Sequence, residues 1–496
     1  MTEGEIMNVC IVGTGYVGLS TGVCLAYLGH QVNCLDVDEQ KIAGLNNGTL
    51  PIYEPGLKEL FDSSRHNLTF TSDPAEAMHD AKIVFITVGT PSLEDGRANL
   101  QYVEAAAKMA GQHLNRHFTV VVVKSTVPIG TNGKVARIVR SAFCQSHPGH
   151  LEPEFAMASN PEFLRQGSAI HDSLYPDRIV IGSNSTKANE KLKLLYRHLV
   201  DQTFEAPEFL PRPEGFPTVL MIATDLASAE MIKYAANAFL GVKISFANEL
   251  AELSEHVRAD ISQVIQGVGS DRRIGSLFLQ AGLGWGGSCF GKDTAALLNT
   301  GLEYGLNMRI VRAARDVNYS QPERVIAKLR RELGTLEGKV VGLLGLAFKP
   351  HTDDLRDAPA LEIGRQLLQC GAEVRGHDPV ARPGERGSGI QLCATVSELT
   401  EGAHALILAT EWPQYQSLPW KTIASAMSDP LLLDGRNALS RQQMEWAGFR
   451  YFGIGRAYQP SDLRQVSPVS AVMRNPIPQQ RQVGLVPRFA FDESVT

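Results

Sequence analysis

Val9-Cys10-Ile11-Val12-Gly13-Thr14-Gly15-Tyr16-Val17-Gly18 stands near the start of a 496-residue chain. The apolar, β-branched run Val9–Val12 reads as a buried strand, and Val17–Leu28 reads as a helix. Between them lies G-x-G-x-x-G. In a strand–turn–helix unit, Gly13 permits the tight turn, Gly15 admits a pyrophosphate to the backbone, and Gly18 lets helix and strand pack closely. Tyr16 and Val17 open the helix, whose free N–H groups suit phosphate. A second strand, Val32–Leu35, ends at Asp36, where an acidic side chain meets ribose hydroxyls. The unit predicts a dinucleotide site. Asp36 favours NAD, because a 2′-phosphate would meet like charge; Lys41 weakens that selection.

Working outward, strands are predicted at Ile83–Val88, Thr119–Lys124 and Arg178–Ile181, alternating with helices as in a doubly wound parallel sheet. Thr90 and Thr126 follow two of these strands, at the carboxyl ends where such sheets bind ligands. Thr-Pro and Val-Pro pairs also simply end strands, so position alone leaves their role open. Pro211–Gly215 marks a boundary. Leu226–Val257 has no proline and one glycine, Gly241; it predicts a long bridging helix, kinked at Gly241, with apolar faces suited to a dimer. Alternation resumes with strands at Lys339–Leu344, Glu373–His377, Ala405–Ala409 and Leu431–Asp434, and a helix at Ala358–Cys370. The expected class is α/β: two Rossmann-like doubly wound domains joined by a long central helix, with limits at 1–211, 212–330 and 331–460. Residues 461–496 are aperiodic and rich in Pro, Gln and Arg, and predict a flexible tail.

Composition narrows the class. Hydrophobic residues make up 44% and charged residues 20%, with a net charge of -6, which argues against a general nucleic-acid binder. Seven cysteines without a C-x-x-C pair argue against a disulfide framework or a metal site and fit a reducing cytoplasm. No signal peptide and no membrane-spanning run is expected.

The chemistry is expected at Gly282-Leu283-Gly284-Trp285-Gly286-Gly287-Ser288-Cys289-Phe290-Gly291-Lys292-Asp293. Glycines cost entropy and bury little, so such a run suits backbone wrapped round a ligand. Cys289 precedes a predicted helix whose N–H groups would lower its pKa, and Asp293 shares its face, placed to hold a water. On the long helix, Glu230, Lys233, Tyr234 and Asn237 recur at helical spacing. Lys233 would stabilise an oxyanion and Asn237 would donate a hydrogen bond; without the Cys289 motif, the stripe reads better as an ordinary solvated face. Glu162, in Asn160-Pro161-Glu162-Phe163-Leu164-Arg165, adds a loop carboxylate.

These motifs, taken in order with Tyr53–Leu57, Ser125–Pro128, Asp271–Gly275, Gly345–Lys349 and Asp434–Arg436, resemble the nucleotide-sugar 6-dehydrogenase family from about Asn8 to Tyr458. The resemblance implies NAD-dependent four-electron oxidation of a UDP-sugar, UDP-glucose to UDP-glucuronate, in a homodimer or higher oligomer. It implies Cys289 as nucleophile through a thiohemiacetal and a thioester, with Lys233, Asn237, Asp293 and Thr126 around the reacting carbon and Glu162 as acid/base. It implies substrate contacts from Phe163, Leu164, Arg273, Phe278, Gly286, Phe348, Lys349 and Arg436, the last from the partner subunit, and cofactor contacts from Tyr16, Val17, Lys41, Thr90, Gln166 and Arg356. Gln166 stands where relatives often carry Glu, and Gly291 where many carry Pro. GDP-mannose or a UDP-N-acetylhexosamine as substrate, a two-electron hydroxyacid dehydrogenase, and an inactive NAD-binding scaffold are the alternatives. A hydroxyacid dehydrogenase shares the Rossmann core and a Lys/Asn helix but would not need Cys289, and Cys289, Lys233 and Asp293 together argue against the scaffold.

Overall fold

The computed structural model describes residues 6–115, 117–149, 152–382 and 384–456; the expected tail, 461–496, lies outside them. The first sheet contains β1 (Asn8–Val12), β2 (Gln31–Leu35), β3 (Leu68–Thr71), β4 (Ile83–Ile86), β5 (Thr119–Val123), β6 (Phe155–Ser159), β7 (Arg178–Gly182) and β8 (Leu220–Thr224). Its order is β3-β2-β1-β4-β5-β6-β7-β8. Strands β1 to β6 are parallel, and β1 and β4 flank the point where the order reverses. The central strand β5, Thr-Val-Val-Val-Val, is buried throughout, as expected of a strand covered on both faces.

Two expectations need correction. Strand β7 runs antiparallel to β6, and β8 follows its direction, so the first sheet is not wholly parallel. Strand β8 also lies beyond residue 211 yet pairs with β7. The Pro211–Gly215 stretch is therefore a connection within this sheet rather than its end.

Leu226–Val257 is one continuous helix, with the Asp225 carboxylate accepting the Ser228 N–H at its start and Arg258 left-handed at its end. Gly241 lies within the helix, its open side against Trp285. One end packs on the first sheet, where a Cβ on Gly182 would fall 2.5 Å from Ala229 Cβ. The other end joins the second core through Ala247 and Ala251.

The second sheet holds β9 (Val340–Leu344), β10 (Glu373–His377), β11 (Gln391–Leu392), β12 (Ala405–Leu408), β13 (Leu431–Asp434) and β14 (Arg450–Gly453), all parallel, in the order β11-β10-β9-β12-β13-β14. It repeats the strand–glycine turn–helix logic of the first half. Asp378 ends its second strand as Asp36 ends β2. There the carboxylate is filled by the N–H groups of Leu346, Ala347, Val380, Ala381 and the Trp412 indole. Among the described residues no helix is long and apolar enough to cross a membrane.

Candidate active site

Four strand ends of the first sheet converge. Gly13 follows β1, Thr90 lies beyond β4, Thr126 beyond β5 and Glu162 beyond β6. At the reversal point the glycine turn has the geometry its sequence demands. Gly13 has φ +97°, a conformation L side chains rarely adopt. A Cβ on Gly18 would lie 1.8 Å from the Gly13 carbonyl oxygen, whereas one on Gly15 would meet nothing within 4 Å. Gly18 thus serves packing, and Gly15 leaves an open face beside the amides of Tyr16 and Val17, which start the helix Tyr16–Tyr27.

Asp36 Oδ2 accepts from the Thr14 amide (2.8 Å), the Thr14 hydroxyl (2.7 Å) and Lys41 Nζ (2.9 Å). Partial burial opposes ionisation, but Lys41, Thr14 and Asp38 hold the carboxyl below its usual pKa. Lys41 is thus a partner of Asp36. An open glycine turn, a helix start and an ionised acid at the end of β2 fit a dinucleotide with free ribose hydroxyls. Tyr16, Gln166 and Arg356 line a cleft of about 390 Å³ with Ile52 and Asp354. Arg356 makes a two-pronged ion pair with Asp354.

The reactive residues form a chain of contacts across two helices and two loops. Lys233 Nζ lies 3.0 Å from Glu162 Oε1, both side chains nearly fully buried. Burial pulls the Lys233 pKa down, but Glu162, Asp293 and Cys289 outweigh it and leave the group raised and protonated. Asn237 Nδ2 donates to Asp293 Oδ2 at 2.6 Å, and Lys292 Nζ donates to Oδ1 at 2.6 Å. Lys292 also reaches the Thr90 hydroxyl at 3.4 Å, and Thr90 donates to the Thr126 carbonyl at 2.8 Å.

Cys289 caps the helix Phe290–Glu303 and keeps a solvent-accessible side chain within reach of the charges of Glu162, Lys233 and Asp293. Its expected low pKa is corrected. The surrounding protein, then Glu162, raises the thiol above its ordinary value, as does Asp293, while Lys233 and Ser288 oppose them.

Residues 281–287 are buried, and the absence of a side chain at Gly286 and Gly287 lets the run contact the second Rossmann-like half. A Cβ on Gly286 would lie 2.1 Å from the Asp357 carbonyl, and one on Gly287 2.8 Å from the Phe348 ring. Asn318 holds the run by accepting the Trp285 N–H at 2.7 Å and donating to its carbonyl at 3.1 Å.

Other expected contacts divide. Phe163 lies under the Arg178 guanidinium, 3.9 Å from its ring centre, with Lys233 Nζ at 5.4 Å. The Leu164 N–H donates to Glu162 Oε2. Burial, then Arg165, lowers the Lys349 pKa, against the pull of Glu54, Asp172 and Cys289. Arg436 donates to its own chain's Ala409, Gly284 and Phe348 carbonyls. Phe278 faces Phe290 at 6.3 Å between ring centres. Arg273 is not brought to the cluster; its side chain is 89% exposed and paired with Asp271.

Lys292, Asn318 and Lys124 had no role in the sequence reading. Lys292 was signalled only by adjacency to Asp293. Lys124 ends the quoted strand and donates to Asn160 Oδ1 at 3.0 Å, burial pulling its pKa down to about 8.

Three family models cover the chain in order: the NAD binding, central and UDP binding domains of the UDP-glucose/GDP-mannose dehydrogenase family, matching residues 7–200, 227–320 and 342–441. The chain is 43% identical over 464 residues to UDP-glucose 6-dehydrogenase TuaD of Bacillus subtilis, covering 92% of this chain and 95% of that protein. It is 44% identical over 463 residues to UDP-glucose 6-dehydrogenase of Pseudomonas aeruginosa, covering 91% and 98%. A UDP-glucose dehydrogenase structure from Pyrobaculum islandicum superposes with a TM-score of 0.82 at 37% identity, over 92% of this chain and 99% of that one. With all three domain models matched and full-length relatives above 40% identity, this chain belongs to the UDP-glucose/GDP-mannose dehydrogenase family.

Proposed function

We propose that the protein is an NAD-dependent UDP-glucose 6-dehydrogenase that converts UDP-glucose to UDP-glucuronate in two oxidations at one carbon. The reading rests on relatives of that name at about 40% identity over nine-tenths of the chain. The observation that carries the mechanism is the cluster in which a solvent-accessible Cys289 lies in the field of the Lys233–Glu162 pair and of Asp293, which Asn237 holds.

NAD, held by the Gly13–Gly18 turn, Asp36 and the Tyr16–Gln166–Arg356 cleft, supplies the hydride acceptor for each oxidation. Lys233, kept protonated by its carboxylate neighbours, stabilises negative charge on the C6 oxygen. Loss of a hydride from C6 and of the proton of its hydroxyl leaves the aldehyde; the Cys289 sulfur then adds to C6, the thiol proton passes to the carbonyl oxygen, and the product is held as a thiohemiacetal. Loss of the second hydride and the hydroxyl proton leaves a thioester. Water then replaces the sulfur, with Asp293 holding it and Glu162 accepting its proton, which frees the thiol and the carboxylate product. Phe348, Lys349, Arg436, Phe163, Leu164, Phe278 and Gly286 bind the UDP-sugar, and Arg273 is an outlying contact.

We also place the enzyme in the cytoplasm as a homodimer, with a first nucleotide domain, a central helical domain and a UDP-sugar domain. All seven cysteines are free. Phe239, Phe246 and Leu253, seven residues apart on the central helix, are 63%, 48% and 56% exposed, a stripe suited to a second copy. NADH yield across a panel of nucleotide sugars tests the activity: two NADH per UDP-glucose support it, and turnover confined to another sugar removes it. Sizing of a Phe239→Glu, Phe246→Glu variant tests the dimer.

A further inference from the structure

The Tyr53–Leu57 motif takes no part in the chemistry above, yet its carboxylate is buried where three segments meet. Glu54 is 6% exposed. Its Oε2 accepts the Gly167 N–H at 2.7 Å, and its Oε1 accepts the Ala169 N–H at 2.6 Å. The Gly167 N–H also lies 3.0 Å from the Tyr16 hydroxyl, on the first residue of the dinucleotide-binding helix. Gly167 has φ +80°, and a Cβ there would lie 2.7 Å from the His351 carbonyl. The turn is therefore pressed against the second Rossmann-like half. The loop that begins at Glu162 and runs through Gln166, a wall of the cofactor cleft, ends in a turn that Glu54 holds.

We propose that Glu54 is a positioning residue for the oxidation: as a carboxylate it fixes the Glu162–Gln166 loop between the dinucleotide helix and the second half, and as a carboxylic acid it releases one end of that loop. Both carboxylate oxygens accept from backbone N–H groups, and a protonated oxygen cannot accept in the same way. The inference rests on the assignment of Glu162 and of the dehydrogenase activity. Burial pushes Glu54 up to about 7, against the Gly167 and Ala169 N–H groups and Lys349, with Asp172 adding to the rise. The charged groups facing it are Lys349 and Asp172; Asp172 is held by Arg165 in a two-pronged pair. The hold on the loop is thus complete above pH 7 and lost as pH falls through it.

The test is NADH production by the full chain with NAD and UDP-glucose from pH 5.5 to 9, for wild type, Glu54→Gln and Glu54→Asp, with thermal melting of each. Wild type must first release two NADH per UDP-glucose; if it does not, the functional reading fails and the Glu54 question does not arise. With that satisfied, wild-type kcat should fall as pH drops through about 7, toward the level of Glu54→Gln, whose neutral side chain stands in for the protonated acid. Glu54→Gln should lack that acidic limb, with kcat reduced about tenfold or more at pH 8 and KM changed far less. Glu54→Asp should restore the limb in part. Wild-type kcat and an unchanged limb in Glu54→Gln would overturn the proposal. If Glu54→Gln fails to fold, Glu54→Asp decides: a lowered kcat with a displaced limb supports it, and wild-type values for both overturn it.

Discussion

The Asn237 amide donates to the Asp293 carboxylate at 2.6 Å, tying the middle of Leu226–Val257 to the first turn of Phe290–Glu303. Lys292 fills the other oxygen, so Asp293, 1% exposed, is a buried acceptor with two donors. Asn237→Ala leaves one oxygen unpaired. It should cost about 1–3 kcal/mol of stability, read as a shift in the denaturation midpoint. Asn237→Asp should cost more, because it buries a second carboxylate against the first. Equal stability of all three proteins would show that the bond does not form in solution.

Asp36 and Lys41 set the cofactor preference together. In the wild type the ionised Asp36 repels a 2′-phosphate, and its pairing with Lys41 occupies the nearest cation. NAD should therefore be preferred strongly. Asp36→Ala removes the repulsion and frees Lys41 for the phosphate. The ratio of kcat/KM for NADP over NAD should rise by about 100-fold or more, equivalent to about 2.7 kcal/mol. The check is initial-rate kinetics with both cofactors; an unmoved ratio would take the choice away from Asp36.

Two glycines differ in the room beside their α-carbons. A Cβ on Gly15 meets nothing within 4 Å, while one on Gly286 lies 2.1 Å from a backbone carbonyl. Gly15→Ala should keep the wild-type melting temperature and weaken NAD binding. Gly286→Ala should lower the melting temperature, corresponding to about 1–3 kcal/mol of strain. Titration of NAD by fluorescence and thermal melting of both variants distinguish the effects; the reverse pattern would exchange the two assignments.

What could be read in the sequence was local. Gly13–Gly18 and Asp36 follow from one strand–turn–helix unit, because each residue's role is set by neighbours within a few turns. The spacing of Lys233 and Asn237 likewise put them on one helical stripe. Their partners were not legible: Asp293 is 56 residues from Asn237, and Asn318 holds Trp285 from 33 residues away. The direction of β7 was hidden because a strand reads alike in either sense. The helix Arg309–Leu333 carries Pro322 within it, a residue that argues against a helix interior. The packing of Gly286 on Asp357 and of Gly287 on Phe348 was not legible in the glycine run, because close backbone packing and ligand wrapping require the same small residue.

Cys289 gives the most direct test of the chemistry. Burial by the surrounding protein and then Glu162 raise the Cys289 thiol above its ordinary value, which disfavours the thiolate. Alkylation by iodoacetamide, followed by mass mapping to distinguish the exposed Cys144, should climb about tenfold per pH unit through pH 9. A plateau near neutral pH would mean that the helix start governs the thiol after all. In turnover, each UDP-glucose should yield two NADH and one carboxylate. Cys289→Ala removes the attachment point, so net acid formation should be lost while NAD and UDP-glucose still bind, because the side chain is small and solvent-accessible. Cys289→Ser offers a weaker nucleophile and an ester that hydrolyses more slowly than a thioester. It should stall after the first oxidation or as an adduct visible by intact mass. Lys233 acts on the same carbon, so Lys233→Ala should cost far less in the Cys289→Ala background than in the wild type. Wild-type rates with two NADH per substrate in Cys289→Ala would refute the covalent route, and one NADH per substrate in the unmodified enzyme would make it a two-electron dehydrogenase.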